Sequence, residues 1–165
     1  EKYQDKKEFF KGVEKAIEKS LAKEFKKAPD GLFHLIDEKN KLSQPKRFGF
    51  TGHIYILTSG WTHSGGAVVC SMALNNDNVT FIGQETGGGH EYYTAGNMVL
   101  YTLPNTLCQV EVPMILYRNK IPENSFPKGS GIVPKHQVVQ TQKDFISGND
   151  TVMQFALELI RKSKP

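Results

Sequence analysis

The chain is poor in cysteine and tryptophan and contains no long apolar run. Its 165 residues include two cysteines, Cys70 and Cys108, and one tryptophan. Two cysteines cannot build a disulfide framework or a four-cysteine zinc site, and neither His-Glu-x-x-His nor Cys-x-x-Cys occurs. We therefore expect no metal and no cofactor. No apolar run approaches the roughly 20 residues of a membrane-spanning helix, so no membrane span is expected.

Charge of one sign is also not concentrated enough to indicate a nucleic-acid partner. The formal net charge is +4, and charged residues make up 23% of the chain against 38% hydrophobic residues, which is a globular balance. Near the N-terminus lysines alternate with glutamates, as on a solvated helix face. No basic run is interleaved with aromatic residues, so we expect no nucleic-acid binding.

Residues 1–49 are predicted to form an N-terminal helix and a connecting loop. Apolar residues recur every three to four positions over residues 5–27, which indicates an amphipathic helix. The sequence Pro-Asp-Gly at 29–31 ends it, and residues 30–49 are a polar connection. We expect the apolar face to pack on a neighbouring subunit, giving a homo-oligomer, or on another domain. The apolar positions are Phe9, Phe10, Val13, Ile17, Leu21 and Phe25.

Residues 50–165 are predicted to form a single α/β domain. Residues 53–58 are nearly all β-branched, aromatic or apolar, which favours a strand buried on both faces. Residues 67–74 are apolar all round and predict a buried helix, and residues 79–83 predict a second strand. Strand, helix and strand within about thirty residues make a βαβ unit. Further strands are predicted at 99–103 and 108–112, with 114–117 as an extension of the second.

The end of the chain is predicted to be one extended piece and one helix. Residues 132–134 and 137–139 form the last short extended segment. Asp150 is a favourable N-cap residue for the helix that follows. The helix carries one apolar stripe, made by Val152, Phe155, Ala156, Leu159 and Ile160.

Ser64 is the residue whose position best suits nucleophilic chemistry. It lies between a predicted strand and a predicted helix, with glycines nearby. At a helix N-terminus, the backbone N–H groups of Gly65 and Gly66 could face a developing oxyanion. The alternative is a plain helix N-cap, because serine is among the residues that cap helices best. The residues by themselves leave both interpretations open.

A serine nucleophile needs a base, and the pattern leaves several candidates. His63 is adjacent to Ser64, which tends to point the two side chains apart. His90 follows the glycine loop formed by Gly87, Gly88 and Gly89, which could return to the site. His53, His136 and several lysines are further candidates. The loop matches neither the P-loop nor the dinucleotide fingerprint, so we expect it to form a tight turn or to approach a peptide substrate.

Six short motifs occur in an order that resembles a known enzyme family. Together they resemble the C-terminal-processing (tail-specific) serine peptidases, to which tricorn core protease is related, over residues 50–160. They are Phe-x-Gly-x-Ile-Tyr-Ile-Leu from Phe50, Thr-His-Ser at 62–64, Ile-Gly-Gln-Glu-Thr-Gly-Gly-Gly from Ile82, Leu-Pro-Asn from Leu103, Gly-Ile-Val-Pro from Gly131, and Asp-Thr from Asp150 before the final helix.

The resemblance implies a crotonase-like ββα core and a serine endopeptidase. Ser64 falls on the nucleophile position, where it would form an acyl-enzyme, and Gly65 would supply one oxyanion N–H. The substrate would be a peptide or protein. The location would be the bacterial cell envelope or periplasm, or outside the cell.

The sequence departs from the family pattern at several places. Where tail-specific members have their lysine base, this chain has Gly89. Where the family has an aspartate after the proline of its Gly-x-x-Pro turn, this chain has Lys135. The family's Asp-Leu-Arg-x-Asn-x-Gly-Gly segment has no counterpart in residues 1–49. We expect the C-terminal half of a catalytic domain, weakly active or inactive by itself. Its base would lie outside the chain, or would be His90 or His63 after rearrangement.

Two other functions remain open on the sequence. The first is a non-catalytic crotonase-like module that binds a peptide or a hydrophobic ligand, which the missing lysine and the change at Lys135 favour. The second is acyl-CoA chemistry, which rests on fold analogy alone.

Overall fold

The computed structural model describes residues 22–36, 49–96, 98–123 and 125–163, together with Lys15 and Lys19. The chain divides into two compact units, Glu1–Gly49 and Phe50–Pro165. Its described elements are β1 (Phe25–Lys27), β2 (Phe33–Leu35), β3 (Ile54–Thr58), α1 (Gly65–Ala73), β4 (Val79–Gly83), β5 (Tyr92–Thr94), β6 (Met98–Thr102), β7 (Gln109–Pro113), β8 (Leu116–Arg118), β9 (His136–Gln137), α2 (Gln142–Ile146) and α3 (Thr151–Lys162).

The described part of the first unit is an antiparallel hairpin. Strands β1 and β2 pair, and the turn between them is closed by the Leu32 N–H, which donates to Asp30 Oδ1 at 2.9 Å. Gly31 supplies the positive φ, 82°, that this turn requires. The predicted helix was therefore wrong at its C-terminal end, because the turn holds residues 25–27 extended. The rest of that prediction lies outside the described residues, apart from Lys15 and Lys19, which are helical.

A three-stranded parallel sheet organises the second unit. Its order is β3-β4-β9, and helix α1 connects β3 to β4. The predicted βαβ unit is thus confirmed. The carboxyl ends of all three strands lie at one edge of the sheet, where ligands bind in open α/β sheets. The second unit is mixed α/β, and its crotonase-like arrangement stays a prediction.

The hydrophobic core lies between α1 and the sheet. Cys70, Phe81 and Ile132 form its centre. The prediction that α1 is buried all round was wrong, because only one face packs inward and Val69 and Met72 are each 61% exposed. Strand β3 is likewise half-buried rather than buried on both faces.

Residues 92–118 form a two-stranded antiparallel ribbon. Strands β6 and β7 pair toward its tip, and β5 and β8 pair at its base. The strands predicted at 99–103 and 108–112 are confirmed to within a residue. The predicted extension of the second strand is instead the separate strand β8, which pairs with the unpredicted strand β5.

Helix α3 packs against β3 and β4. As predicted, its N-cap is Asp150, whose Oδ1 accepts from the Met153 N–H at 2.9 Å. The predicted apolar stripe is buried or half-buried, with Ala156 at its centre. Helix α2 was not predicted. Within the described ranges, no helix has the length and apolar character needed to cross a bilayer.

Candidate active site

Ser64 occupies a strained turn between β3 and α1. Its backbone has φ 48° and ψ −123°, a region that a residue with a Cβ rarely adopts. Strain of this kind costs about 1–3 kcal/mol and concentrates at functional sites. A sharp, strained strand-to-helix turn is also the geometry that exposes the nucleophilic serine in the nucleophile elbow. We call residues 59–66 the elbow.

The conventional N-cap interpretation of Ser64 is wrong. The Ser64 side chain makes no capping hydrogen bond, and its φ and ψ differ from the extended values typical of a cap. The first turn of α1 is closed by backbone groups instead, since the Gly66 N–H donates to the His63 carbonyl at 2.9 Å. The Ser64 side chain is exposed, so its hydroxyl is left accessible to a substrate.

Of the two expected oxyanion donors, one is free and one is occupied. The Gly66 N–H is used by the His63 carbonyl, which corrects the expectation that it faces an oxyanion. Within the described residues, no backbone hydrogen bond engages the Gly65 N–H, which lies at the exposed first position of α1. The helix dipole places partial positive charge there. One developing negative charge beside Ser64 can therefore be stabilised by Gly65.

The polar residues of the elbow hold its shape. The Thr62 N–H donates to the Ser59 carbonyl at 2.8 Å, and the Ser59 N–H donates to Thr62 Oγ1 at 3.0 Å. The Trp61 N–H donates to Ser59 Oγ at 3.2 Å. These bonds supply partners for backbone N–H and C=O groups that are not paired within a helix or a strand.

The glycine loop packs directly on the elbow. The Gly88 N–H donates to the Thr62 carbonyl at 3.1 Å, and a Cβ built on Gly88 would lie 2.6 Å from the Ala67 Cβ. A Cβ on Gly87 would overlap the Gly60 carbonyl oxygen and the His63 ring. Gly87 and Gly88, which we expected to approach a peptide, approach the elbow itself and fix its position.

Gly89 differs from its two neighbours in the loop. It is exposed, and the nearest atoms to a Cβ built there are the carbonyl oxygens of Tyr92, at 3.4 Å, and Ser130, at 3.9 Å. These are ordinary contacts, so a side chain fits at this position. A substrate-binding role for Gly89 stays a prediction.

A buried threonine anchors the glycine loop to the core. Thr86 is 3% exposed, and its Oγ1 donates to the Gly88 carbonyl and accepts from the Ile132 N–H, both at 2.8 Å. The Thr86 N–H donates to the Ile132 carbonyl at 3.1 Å. The elbow is thereby held by a loop that is itself tied to a fully buried residue.

His63 is the histidine that the structure places at the elbow. It is exposed, its ring lies against Gly87, and the Trp61 ring meets it edge-on with centroids 6.4 Å apart. Trp61 is 90% exposed, so this corner presents a large apolar surface to solvent. Sequence reasoning did not single out Trp61, although a lone tryptophan beside a candidate nucleophile was a usable signal.

His90 is buried, and its described hydrogen bonds go to residues other than Ser64. It is 3% exposed, and its Nδ1 donates to the Ser130 carbonyl at 2.7 Å, since a carbonyl can only accept. Its own carbonyl accepts from Ser71 Oγ at 2.8 Å. Ser71 lies about two helical turns, roughly 10 Å, along α1 from Ser64. His90 therefore serves as a buried structural group in this conformation.

His53, His136 and Cys70 have surroundings that do not favour this chemistry. His53 Nε2 is hydrogen-bonded to Thr80 Oγ1 at 2.8 Å, and the His136 ring packs on Phe155. Burial raises the pKa of the Cys70 thiol, which disfavours the nucleophilic thiolate. Among the residues that the structure describes, no three His, Cys, Asp or Glu side chains are grouped so that they could hold a metal ion.

The elbow thus contains three of the seven predicted site residues, His63, Ser64 and Gly65, and two more, Gly87 and Gly88, pack against it. Compared with models of known protein families and with curated protein sequences, the chain matches none.

Proposed function

We propose that the chain carries the nucleophile of a serine-type peptidase, with Ser64 forming the acyl-enzyme. The observation that carries the proposal is the backbone of Ser64, with φ 48° and ψ −123° and no capping hydrogen bond. A serine that only capped a helix would gain nothing from this strain, whereas a nucleophile must project its hydroxyl from a sharp turn.

The chemistry follows from the groups at the elbow. Ser64 Oγ attacks the carbonyl carbon of the scissile peptide bond and loses its proton to a general base. The carbonyl oxygen becomes an oxyanion, which accepts from the Gly65 N–H. The C–N bond then breaks, the amine leaves with the proton from the base, and water hydrolyses the ester. Among the described histidines, His63 lies nearest in the chain and is the first candidate for the base.

The ordered motifs over residues 50–160 support the same reaction. Their resemblance to tail-specific and tricorn-like peptidases implies peptide substrates, a crotonase-like core and a bacterial envelope location. The observed parallel βαβ unit around Ser64 agrees with the strand and helix that this resemblance requires.

Intact-mass labelling with a small alkyl fluorophosphonate tests the proposal. The probe forms a bond between phosphorus and Ser64 Oγ and releases fluoride, so each labelled chain gains one adduct. We expect one adduct on the wild-type chain, none on Ser64→Ala, and an unchanged adduct on Ser147→Ala. Ser147 is a suitable control because it is exposed and its hydroxyl donates to the Asp144 carbonyl, far along the chain from the elbow.

A second candidate function is a non-catalytic module that binds a peptide. The observation that favours it is that His90, one of the two predicted bases, is buried and hydrogen-bonded to the Ser130 carbonyl instead of to Ser64. A folded wild-type chain that acquires no adduct would overturn the proposal that this chain by itself carries an activated Ser64 and would favour the binding module.

A further inference from the structure

A groove opens at the carboxyl ends of the parallel strands, beside the elbow. Its volume is about 360 Å³, toward the lower end of the roughly 300–1,000 Å³ typical of ligand sites. Gly83 and Gln137 are the last residues of β4 and β9. We call it the strand-end groove, and it is lined by Gly60, Gly83, Gln84, Glu85, Gln137 and Val139.

The strand-end groove is continuous with the elbow through Gly60. Gly60 belongs to the elbow and lines the groove, and its carbonyl oxygen lies directly beneath Gly87. The elbow and the strand-end groove thus have Gly60 as a common wall.

Glu85 is the one ionisable side chain among the groove's lining residues. Its Oε1 accepts from the Gly131 N–H at 2.7 Å, which fixes the orientation of the carboxylate. The ion pairs within the described part of the chain join Arg118 to Glu91 and His34 to Asp30, and neither involves Glu85. The groove therefore holds an oriented carboxylate that forms no ion pair with any residue the structure describes.

The rest of the lining suits the stem of a long side chain. Gly60 and Gly83 contribute no side chains, so the floor of the groove is backbone. Val139, which is 60% exposed, offers an apolar contact for methylene groups. The amides of Gln84 and Gln137 add neutral polar groups and no positive charge that would compete for Glu85.

We propose that the strand-end groove binds a lysine or arginine side chain of the peptide substrate, and that Glu85 determines this preference. The inference rests on the proposed peptidase function and names its substrate class. The guanidinium or ammonium group donates charge-assisted hydrogen bonds to the Glu85 oxygen that Gly131 leaves free.

A binding experiment tests the groove without requiring catalysis. The ¹⁵N-labelled full chain is titrated with acetyl-Ala-Ala-Arg-Ala-Ala-amide and with the same peptide carrying citrulline, which keeps the shape of arginine but is neutral. We expect the backbone amides of Gly83, Gln84 and Gln137 to shift, with the arginine peptide binding about tenfold more tightly than the citrulline peptide.

Glu85→Gln separates the charge of Glu85 from its structural bond. The amide oxygen of glutamine can still accept from the Gly131 N–H, so urea unfolding of this variant should match the wild type. The variant should bind the arginine and citrulline peptides equally tightly. Equal binding of the two peptides by the wild type, shifts confined to other residues, or a preference that persists in Glu85→Gln would each overturn the inference.

The fluorophosphonate reaction, run on the wild type and on Ser64→Ala, reports on the proposed function alone, because the small alkyl probe carries no cationic side chain for the groove to bind. Absence of labelling in the wild type with retained arginine preference would refute the peptidase proposal and leave the groove as a cation-binding site. Labelling of the wild type without arginine preference would refute the groove alone.

Discussion

Replacing Ser64 with glycine and with alanine measures the strain at the elbow. Both variants lack the hydroxyl, so they differ only in the Cβ, and alanine keeps the strain at φ 48° that glycine relieves. The strain amounts to about 1–3 kcal/mol. The greater flexibility of glycine in the unfolded chain offsets roughly 0.4–1 kcal/mol of the stability gained by relieving the strain. We therefore expect Ser64→Gly to be more stable than Ser64→Ala by about 1 kcal/mol.

Urea unfolding followed by far-UV circular dichroism gives the comparison, and thermal unfolding should show a Tm difference of roughly 2–4 °C. Gly65 is the matched control, because its φ is not in the left-handed region and nothing lies within 4 Å of a Cβ built there. Gly65→Ala should leave the stability unchanged or raise it. A Ser64→Gly variant that is no more stable than Ser64→Ala would refute the claim that the elbow is strained.

Three further substitutions test the surroundings of the elbow and the helices of the second unit. Gly88→Ala should lower the free energy of unfolding by about 1–3 kcal/mol, because its Cβ would meet the Ala67 Cβ at 2.6 Å. The same variant should react more slowly with the fluorophosphonate. Unchanged labelling would show that the loop does not hold the elbow. Asp150→Ala should cost about 1 kcal/mol in urea unfolding through loss of the cap on α3, and an unchanged midpoint would contradict that role. The hydrogen bond from the Thr141 hydroxyl lowers the pKa of Asp144 below its ordinary value of 3.8, so its contribution to stability is present above that value and is lost as the pH falls through the lowered pKa. Urea midpoints should therefore fall more steeply for the wild type than for Asp144→Asn as the pH drops below about 4, and parallel pH profiles would show that Asp144 contributes nothing.

The parallel βαβ unit could be predicted because its sequence signals are local and strong. The strand at residues 53–58 and the helix from 67 are apolar runs separated by small turn residues, and each matched a single element type. The Asp150 cap and the apolar stripe of α3 were equally local. The base of the ribbon was missed because β5 and β8 are three residues each, and their pairing is decided by the longer strands that they flank.

The conformation of Ser64 could not be predicted from its own sequence neighbourhood. Serine before a helix most often caps it, and residue preference alone favoured that outcome. The elbow is contacted by residues that are distant in sequence, since Gly87 and Gly88 pack on it and Thr86 ties their loop to Ile132. Glu85 was missed for a similar reason, since only the folded sheet places it in a groove beside the elbow.

The nested pairing of residues 92–118 has a consequence for the order in which the chain folds. Thr102 pairs with Gln109 near the tip and Tyr92 pairs with Arg118 at the base, so the ribbon can zip from its tip by closing a succession of small loops. Strand β9 must instead find β4 across the whole ribbon, since Ile82 pairs with His136. A ribbon that forms early shortens the effective loop that this late parallel pairing must close, and parallel pairing is otherwise slow. Early formation of the ribbon thus reduces the loop-closure cost that the segment between β4 and β9 would otherwise add.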